Sequence, residues 1–172
     1  QTRREALTEV RAQLDTVSGS ILNIRVGGND LSHAFGLRRP ANRTIYDLRP
    51  VADILIDIVA AFGTQYVVSG PVWEYYSGEG WEEGLRREME LDLLNGFTGK
   101  TVIHPNQIPV VNEMLRVSQR DYADARAILN WDTGSGSLVS ASEDGGRMNE
   151  YNTHSRWARR IVLRAERYGV RA

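Results

Sequence analysis

Four side chains in this 172-residue chain stand where acid–base or metal chemistry could be done: Asp30, Glu74, His104 and Glu150. Asp30 follows Gly27 and Gly28 directly after an apolar stretch (VGGND). A carboxylate there can approach a hard cation such as Mg2+ while the small backbone stays out of the way, or it can sit in the turn and cap a helix beginning near Leu31. His104 ends the run TVIHP and could polarise a carbonyl, bind a carboxylate or shuttle a proton; a hydrogen-bonded structural histidine is the alternative. Glu74 lies in VWEYY, where Trp73 and two tyrosines flank it. That aromatic setting favours a protonated carboxyl and suits a general acid or a substrate clamp, against a plain rim carboxylate. Glu150, in GRMNEYNTH, follows a Gly/Ser/Asp-rich stretch and precedes a helical pattern, so it could swing onto a site as part of a lid or simply face the helix dipole. Lys100 is the only lysine among 21 basic residues, and at the beginning of its strand it reads as solvated rather than as a Schiff-base former.

The elements that must position these residues follow from periodicity. Leu7, Val10, Leu14 and Val17 recur at helical spacing, and Ile21 to Val26 reads as a strand ending at the two glycines. Pro50 introduces a helix with Val51, Ile54, Leu55, Ile58, Val59 and Phe62 on its apolar face, stopped by Gly63. Gln65 to Ser69 is a second strand, running into the aromatic loop Gly70 to Tyr76, of the kind that lines a pocket. Leu85, Met89 and Leu93 mark a helix closed by Gly96 in the left-handed cap role; Thr101 to Ile103 is a third strand, and Pro105 with Asn106 opens the next helix. Ser118 reads as an N-cap with Asp121 three residues on. Asp132 to Gly146 reads as a mobile loop before a last helix ending at Gly169. Seven arginines between Arg147 and Arg171 fit a charged outer face. Strands alternating with helices imply an α/β fold with parallel pairing and right-handed crossovers. Three strands are too few for a closed sheet of that kind, so the chain pairs with other material or is the carboxyl part of a longer barrel.

Composition narrows the chemistry. The chain has no cysteine, which excludes disulfides, thiolate metal sites and a Cys nucleophile. Its formal net charge of -1 argues against nucleic acid as a partner. No apolar run approaches the roughly twenty residues that span a bilayer, so a soluble, cytoplasmic protein without a membrane partner is expected. The start at Gln1, without Met, suggests a piece of a longer chain. No G-x-S-x-G, P-loop, G-x-G-x-x-G or H-E-x-x-H pattern occurs, and what remains is acid and metal chemistry at a barrel rim.

Three segments then carry a family resemblance. GGNDLSHAFG (27–36) is similar to the G-x-x-D-L-S segment of the citrate lyase beta-subunit, malyl-CoA lyase and hydroxy-oxo-acid aldolase superfamily, GFTGKTVIHPNQIPVVNEM resembles its G-F-x-G-K-x-x-I-H-P-x-Q segment, and DGGRMNEYNTHSRWARRI resembles its D-G-x-M-I-D segment. SGPVWEYY and MNE are similar to segments of citrate-lyase-like barrel proteins found with tellurium-resistance and stress genes. The resemblance implies the carboxyl-terminal part of a (β/α)8 TIM barrel, about strands six to eight plus C-terminal helices, with residues 1–131 in the barrel half and 132–172 as loop and helical extension. It implies a metal-dependent carbon–carbon bond lyase acting on a carboxylated 2-oxo or 3-hydroxy acid or its CoA thioester, in a homo-oligomer. Asp30 would bind Mg2+ or Mn2+, Glu150 would be the catalytic acid, and Glu74, His104 and Trp73 would line the substrate pocket. Asn149 stands where the family has isoleucine, and the family's second metal-binding carboxylate, at the end of strand five, has no counterpart in this chain. A barrel that binds a metabolite or partner in a stress-response system without turning it over is the alternative.

Overall fold

The computed structural model describes residues 1–131 and 139–171, which form two compact units, 1–114 and 115–172. In the first unit α1 (Arg3–Asp15) is opened by a capping box in which Thr2 and Glu5 satisfy each other's backbone N–H groups. Then come β1 (Ile24–Arg25), the short α2 (Gly28–Ala34), α3 (Arg49–Phe62), β2 (Val68–Gly70), α4 (Trp81–Leu94), β3 (Gly99–Lys100) and α5 (Gln107–Met114). The three strands pair in parallel in the order β1-β2-β3, Ile24 opposite Val68 and Ser69 opposite Gly99, as the alternation of strands and helices requires. The ladder is shorter than the apolar runs suggested: 101–103, expected as the third strand, lie outside it, although the Thr101 N–H still donates to the Gly70 carbonyl at 3.2 Å.

The apolar face of α3 delivers Val51, Leu55 and Phe62 onto Val26, Ile45, Tyr66, Val68 and Phe97, making the core of this unit. Gly96, at φ 96°, ends the turn after α4 in the left-handed conformation that a side chain would disfavour. The chain then re-enters the sheet at β3.

The second unit holds β4 (Val117–Ser118), α6 (Gln119–Leu129), β5 (Val139–Ala141), β6 (Met148–Glu150), α7 (Tyr151–Tyr168) and β7 (Val170–Arg171). Ser118 caps α6 as expected, its hydroxyl accepting from the Asp121 N–H at 3.1 Å. Ala125 and Ile128 of α6 pack on Ala158, Ile161 and Ala165 of α7, and β4 pairs in parallel with β7. The stretch expected as a mobile loop is corrected in its second part. Residues 139–150 form an antiparallel hairpin of β5 and β6, with Ser140 opposite Asn149; 132–138 lie outside the described residues. Among the described residues no helix is long and apolar enough to cross a membrane.

Candidate functional site

The segments that leave the carboxyl ends of β1, β2 and β3 form one rim of the first unit, and Asp30, Trp73, Glu74 and His104 all lie on them. In parallel α/β sheets this is the edge at which ligands are met. Asp30 sits exposed in the first turn of α2, and its carboxylate makes no hydrogen bond or ion pair with any described residue. It does not cap the helix through its side chain. Instead it lies back over Gly27, where an added Cβ would collide with Oδ2, so the glycine makes room for the carboxylate. Gly28 is held as tightly, since a Cβ there would strike Pro71 and Ile45.

Glu74 is placed differently from expectation. Its carboxylate faces arginine rather than aromatic bulk: Arg38 Nε donates to Oε2 at 2.9 Å, and Arg39 Nη1 lies 3.9 Å from Oε1. The aromatic residues around it serve the loop. Trp73, expected on the pocket lining, is 0% exposed. Its Nε1–H donates to the Trp81 carbonyl, its ring lies 5.1 Å under the Arg39 guanidinium, and Tyr75 packs against it at 5.4 Å. Trp73 is thus packed inside the loop, beneath Arg39 and beside Tyr75. His104 is half-buried and stacked on Tyr76, ring centres 4.1 Å apart and planes 12° from parallel. Its Nδ1 accepts from the Asn106 N–H at 3.2 Å, while Asn106 Nδ2 donates to the Tyr76 carbonyl at 3.1 Å.

Two organising residues, Gln107 and Arg39, escaped the sequence reading. Buried Gln107 donates from Nε2 to the carbonyls of Trp73 and Tyr75, both at 2.8 Å, and accepts at Oε1 from the Ile103 N–H at 3.0 Å. The β2 and β3 rim loops are thereby pinned together. Buried Arg39 reaches Asn29 Oδ1 at 3.5 Å, the Val72 carbonyl, and Glu88 Oε1 at 3.0 Å.

Glu88 leads to a buried ionic cluster beneath the rim. Lys100 is corrected here, since it is fully buried instead of solvated: Nζ donates to Glu88 Oε1 at 2.8 Å and to Asp92 Oδ2 at 2.7 Å. Both acids belong to α4, one turn apart on its buried face, so the Lys100 side chain leaves β3 toward that helix. Tyr46 donates its hydroxyl to Asp92 Oδ1 at 2.7 Å, and the Ile45 N–H donates to Glu88 Oε2 at 2.7 Å. Arg39 Nε lies 2.8 Å from Glu88 Oε2 but is not aligned as a hydrogen bond. Two cations thus meet two carboxylates. Burial and the adjoining Asp92 carboxylate push the Tyr46 phenol far up, so it remains a donor.

Burial pushes the Asp92 carboxyl above its ordinary value of 3.8, with Lys100 pulling the other way. A carboxyl raised in the folded state holds its proton more readily folded than unfolded. Its contribution to stability is full below the ordinary value and is lost as pH rises through the raised one. Asp92→Asn removes this dependence, so the variant's stability deficit is expected to be largest at about pH 4 and to shrink toward neutrality in urea titrations. A deficit that grows with pH would overturn the assignment.

Glu150 belongs to the second unit. It stands at the N-cap of α7 without capping through its side chain; its N–H donates to His154 Nδ1 at 2.9 Å, and its Oε2 accepts from Thr153 Oγ1 at 3.3 Å. The hairpin that carries it is fastened by Arg147, which donates to Asp121 at 3.0 Å and lies over Trp157, and by Asn149, which donates to buried Asp124 at 3.2 Å.

Comparison with known proteins agrees with this architecture. A family model described as C–C bond lyase of the TIM-barrel fold matches residues 1–170. L-malyl-CoA/beta-methylmalyl-CoA lyase from Cereibacter sphaeroides (strain ATCC 17025) is 38% identical over 74 residues, 42% of this chain and 22% of that enzyme. The enzyme of the same name from strain ATCC 17029 is 36% identical over 74 residues, with the same shares covered. A crystal structure of protein CitE from Mycobacterium tuberculosis in complex with magnesium, acetoacetate and coenzyme A superposes with a TM-score of 0.62 at 26% identity, covering 84% of this chain and 52% of CitE. The matched regions therefore cover about half the length of CitE and less than a quarter of the malyl-CoA lyases. With its open parallel sheet forming part of a barrel, the chain belongs to the C–C bond lyase family of the TIM-barrel fold.

Proposed function

We propose that this chain is part of a magnesium-dependent carbon–carbon lyase acting on a carboxylated 2-oxo or 3-hydroxy acid, with CoA thioesters among its substrates. The observation that carries the reading is the Asp30 carboxylate: exposed at the end of β1, cradled over Gly27, and unpaired with any described residue. A carboxylate that stabilises nothing in the fold is free to meet a cation. Its oxygen donors suit Mg2+, which commonly binds through one or two carboxylates and keeps several waters. Among the described residues no group of three or more His, Asp or Glu could hold a metal, so Asp30 supplies one ligand and the others come from elsewhere. When bound, Mg2+ would supply Lewis-acid stabilisation of negative charge developing on a substrate oxygen.

The remaining roles fall to this chain's own groups. Glu150 is the proton donor, at the end of a hairpin anchored by Arg147 and Asn149. Glu74 keeps Arg38 at the rim, where that side chain is 78% exposed and can meet a substrate carboxylate. His104 faces the ligand from the β3 side, and Trp73 supports the loop from behind. The relatives named as malyl-CoA lyases support an acyl-CoA substrate, and CitE, solved with magnesium and coenzyme A, supports the same metal and carrier.

The test is Mg2+ binding by the intact protein and by Asp30→Ala in titration calorimetry, alongside cleavage assays with L-malyl-CoA and with free 2-oxo acids. Loss of a ligand is expected to weaken Mg2+ at least about tenfold. Equal affinity in the two proteins would sink the metal assignment, and failure to cleave either substrate class would sink the lyase reading.

A further inference from the structure

His104 is held by two contacts whose partners are themselves joined. Its ring is stacked on Tyr76 at 4.1 Å, its Nδ1 accepts from the Asn106 N–H at 3.2 Å, and Asn106 Nδ2 closes the ring of contacts by donating to the Tyr76 carbonyl at 3.1 Å. In a neutral imidazole one nitrogen carries the proton and the other accepts, and the bond made by one decides the state of the other. With Nδ1 occupied as an acceptor, the proton belongs on Nε2. That nitrogen has no hydrogen-bond partner among the described residues, and the side chain is half exposed at the carboxyl end of β3.

We infer that His104 is a preset hydrogen-bond donor, presenting Nε2–H to an oxygen of the ligand, a carboxylate or a carbonyl that gains negative charge. It is a substrate-orienting group and does not act as the general base. A base would need an unprotonated nitrogen facing the substrate, and the unprotonated nitrogen here is turned to the backbone. The stack on Tyr76 restrains the ring from turning over, so the donor is in place before the ligand arrives, as electrostatic preorganisation requires. The ligand class rests on the lyase reading; the tautomer does not.

The two are separable by experiment. In intact protein labelled with 15N-histidine, the His104 resonance, assigned by its loss in His104→Phe, is expected to show a protonated Nε2 and a bare Nδ1. The opposite pattern overturns the inference whatever the protein catalyses. Acetoacetate is then the probe: with Mg2+ present it is expected to shift the Nε2–H resonance, and an unmoved resonance at saturation also overturns the inference. His104→Gln keeps a side-chain N–H near the Nε2 position but can accept no proton at catalytic pH. It is expected to bind acetoacetate within about threefold of the parent, whereas His104→Phe, which keeps a ring on Tyr76, weakens binding by roughly ten- to a hundredfold. In the cleavage assay a general base would make both variants fall by about 10² to 10⁴. Such a loss in His104→Gln rejects the donor role, and retained turnover there with loss in His104→Phe supports it. Should the parent cleave neither substrate class, the lyase reading fails while the resonance and acetoacetate measurements still decide the inference.

Discussion

Lys100→Met is expected to destabilise the intact protein by about 3–5 kcal/mol, among the largest effects of any single substitution in this chain. Lys100 Nζ is shared between Glu88 Oε1 and Asp92 Oδ2 at 2.8 and 2.7 Å, and all three side chains are essentially without solvent. Removing the ammonium leaves two buried carboxylates with one guanidinium, that of Arg39. The methionine fills most of the volume, so the loss is electrostatic rather than a cavity, which separates this variant from an ordinary core truncation. Urea unfolding should report it as a fall in midpoint with little change in slope. The double variant Lys100→Met/Asp92→Leu, which also deletes the orphaned acid nearest the vacancy, is expected to regain much of the loss, because a buried ion pair can often be replaced by apolar groups at little cost. A loss below about 1 kcal/mol in the single variant would mean that Lys100 is not the counter-ion of a charged pair in the folded state. A double variant no better than the single one would place the effect in packing instead.

Much of the frame was legible because it depends on local rules. The apolar stripe of α3, the Ser118 cap and the glycine after α4 each follow from a few neighbouring residues, and each is found where expected. The strands were over-read. Ile21 to Val26 and Thr101 to Ile103 look like strands by residue type, yet pairing depends on partners far along the sequence, and only two residues of each neighbourhood are in register with β2. Lys100 was misjudged for a related reason. One charged residue beside an apolar run reads as an exposed end unless its counter-ions are recognised. The signal lay in α4, where Glu88 and Asp92 fall among Leu85 and Met89 on the helix face that is buried. Acids one turn apart on an apolar face imply a buried cation, and the only lysine in the chain is the one that meets them. Asp30, Trp73, Glu74 and His104 do follow the three parallel strands, as their places in the sequence suggest, but their surroundings were not legible. Glu74 was judged by its aromatic neighbours in sequence, whereas its carboxylate meets Arg38 from the polar connection 36 residues away. Gln107 carries no motif of its own. Its three hydrogen bonds to the backbone of two loops become visible only when those loops are adjacent.

Trp73 decides whether the aromatic loop touches the ligand or holds up the residues that do. Trp73→Ala is expected to cost about 3–5 kcal/mol of stability, the range for deleting a fully buried large aromatic. The loss has three parts in the structure: the cavity itself, the Trp81 carbonyl left without the Nε1–H donor at 3.0 Å, and the Arg39 guanidinium left without the ring face 5.1 Å below it. The last of these matters for the site, because Arg39 also reaches Asn29 beside Asp30 and lies 3.9 Å from Glu74. A collapse around Trp73 would therefore loosen two rim segments together, and activity lost in the alanine variant would not identify a substrate contact. Trp73→Phe separates the possibilities. It keeps a ring under Arg39 and most of the volume, loses the hydrogen bond, and is expected to destabilise by about 1–3 kcal/mol. Since the ring is buried behind the rim, acetoacetate binding in Trp73→Phe should match the parent within about twofold, well under the tenfold that 1.4 kcal/mol of lost contact would give. A tenfold weaker affinity in a variant whose unfolding midpoint is nearly unchanged would return Trp73 to the pocket lining. Unchanged affinity with reduced stability assigns it the supporting role that its burial and its three partners indicate.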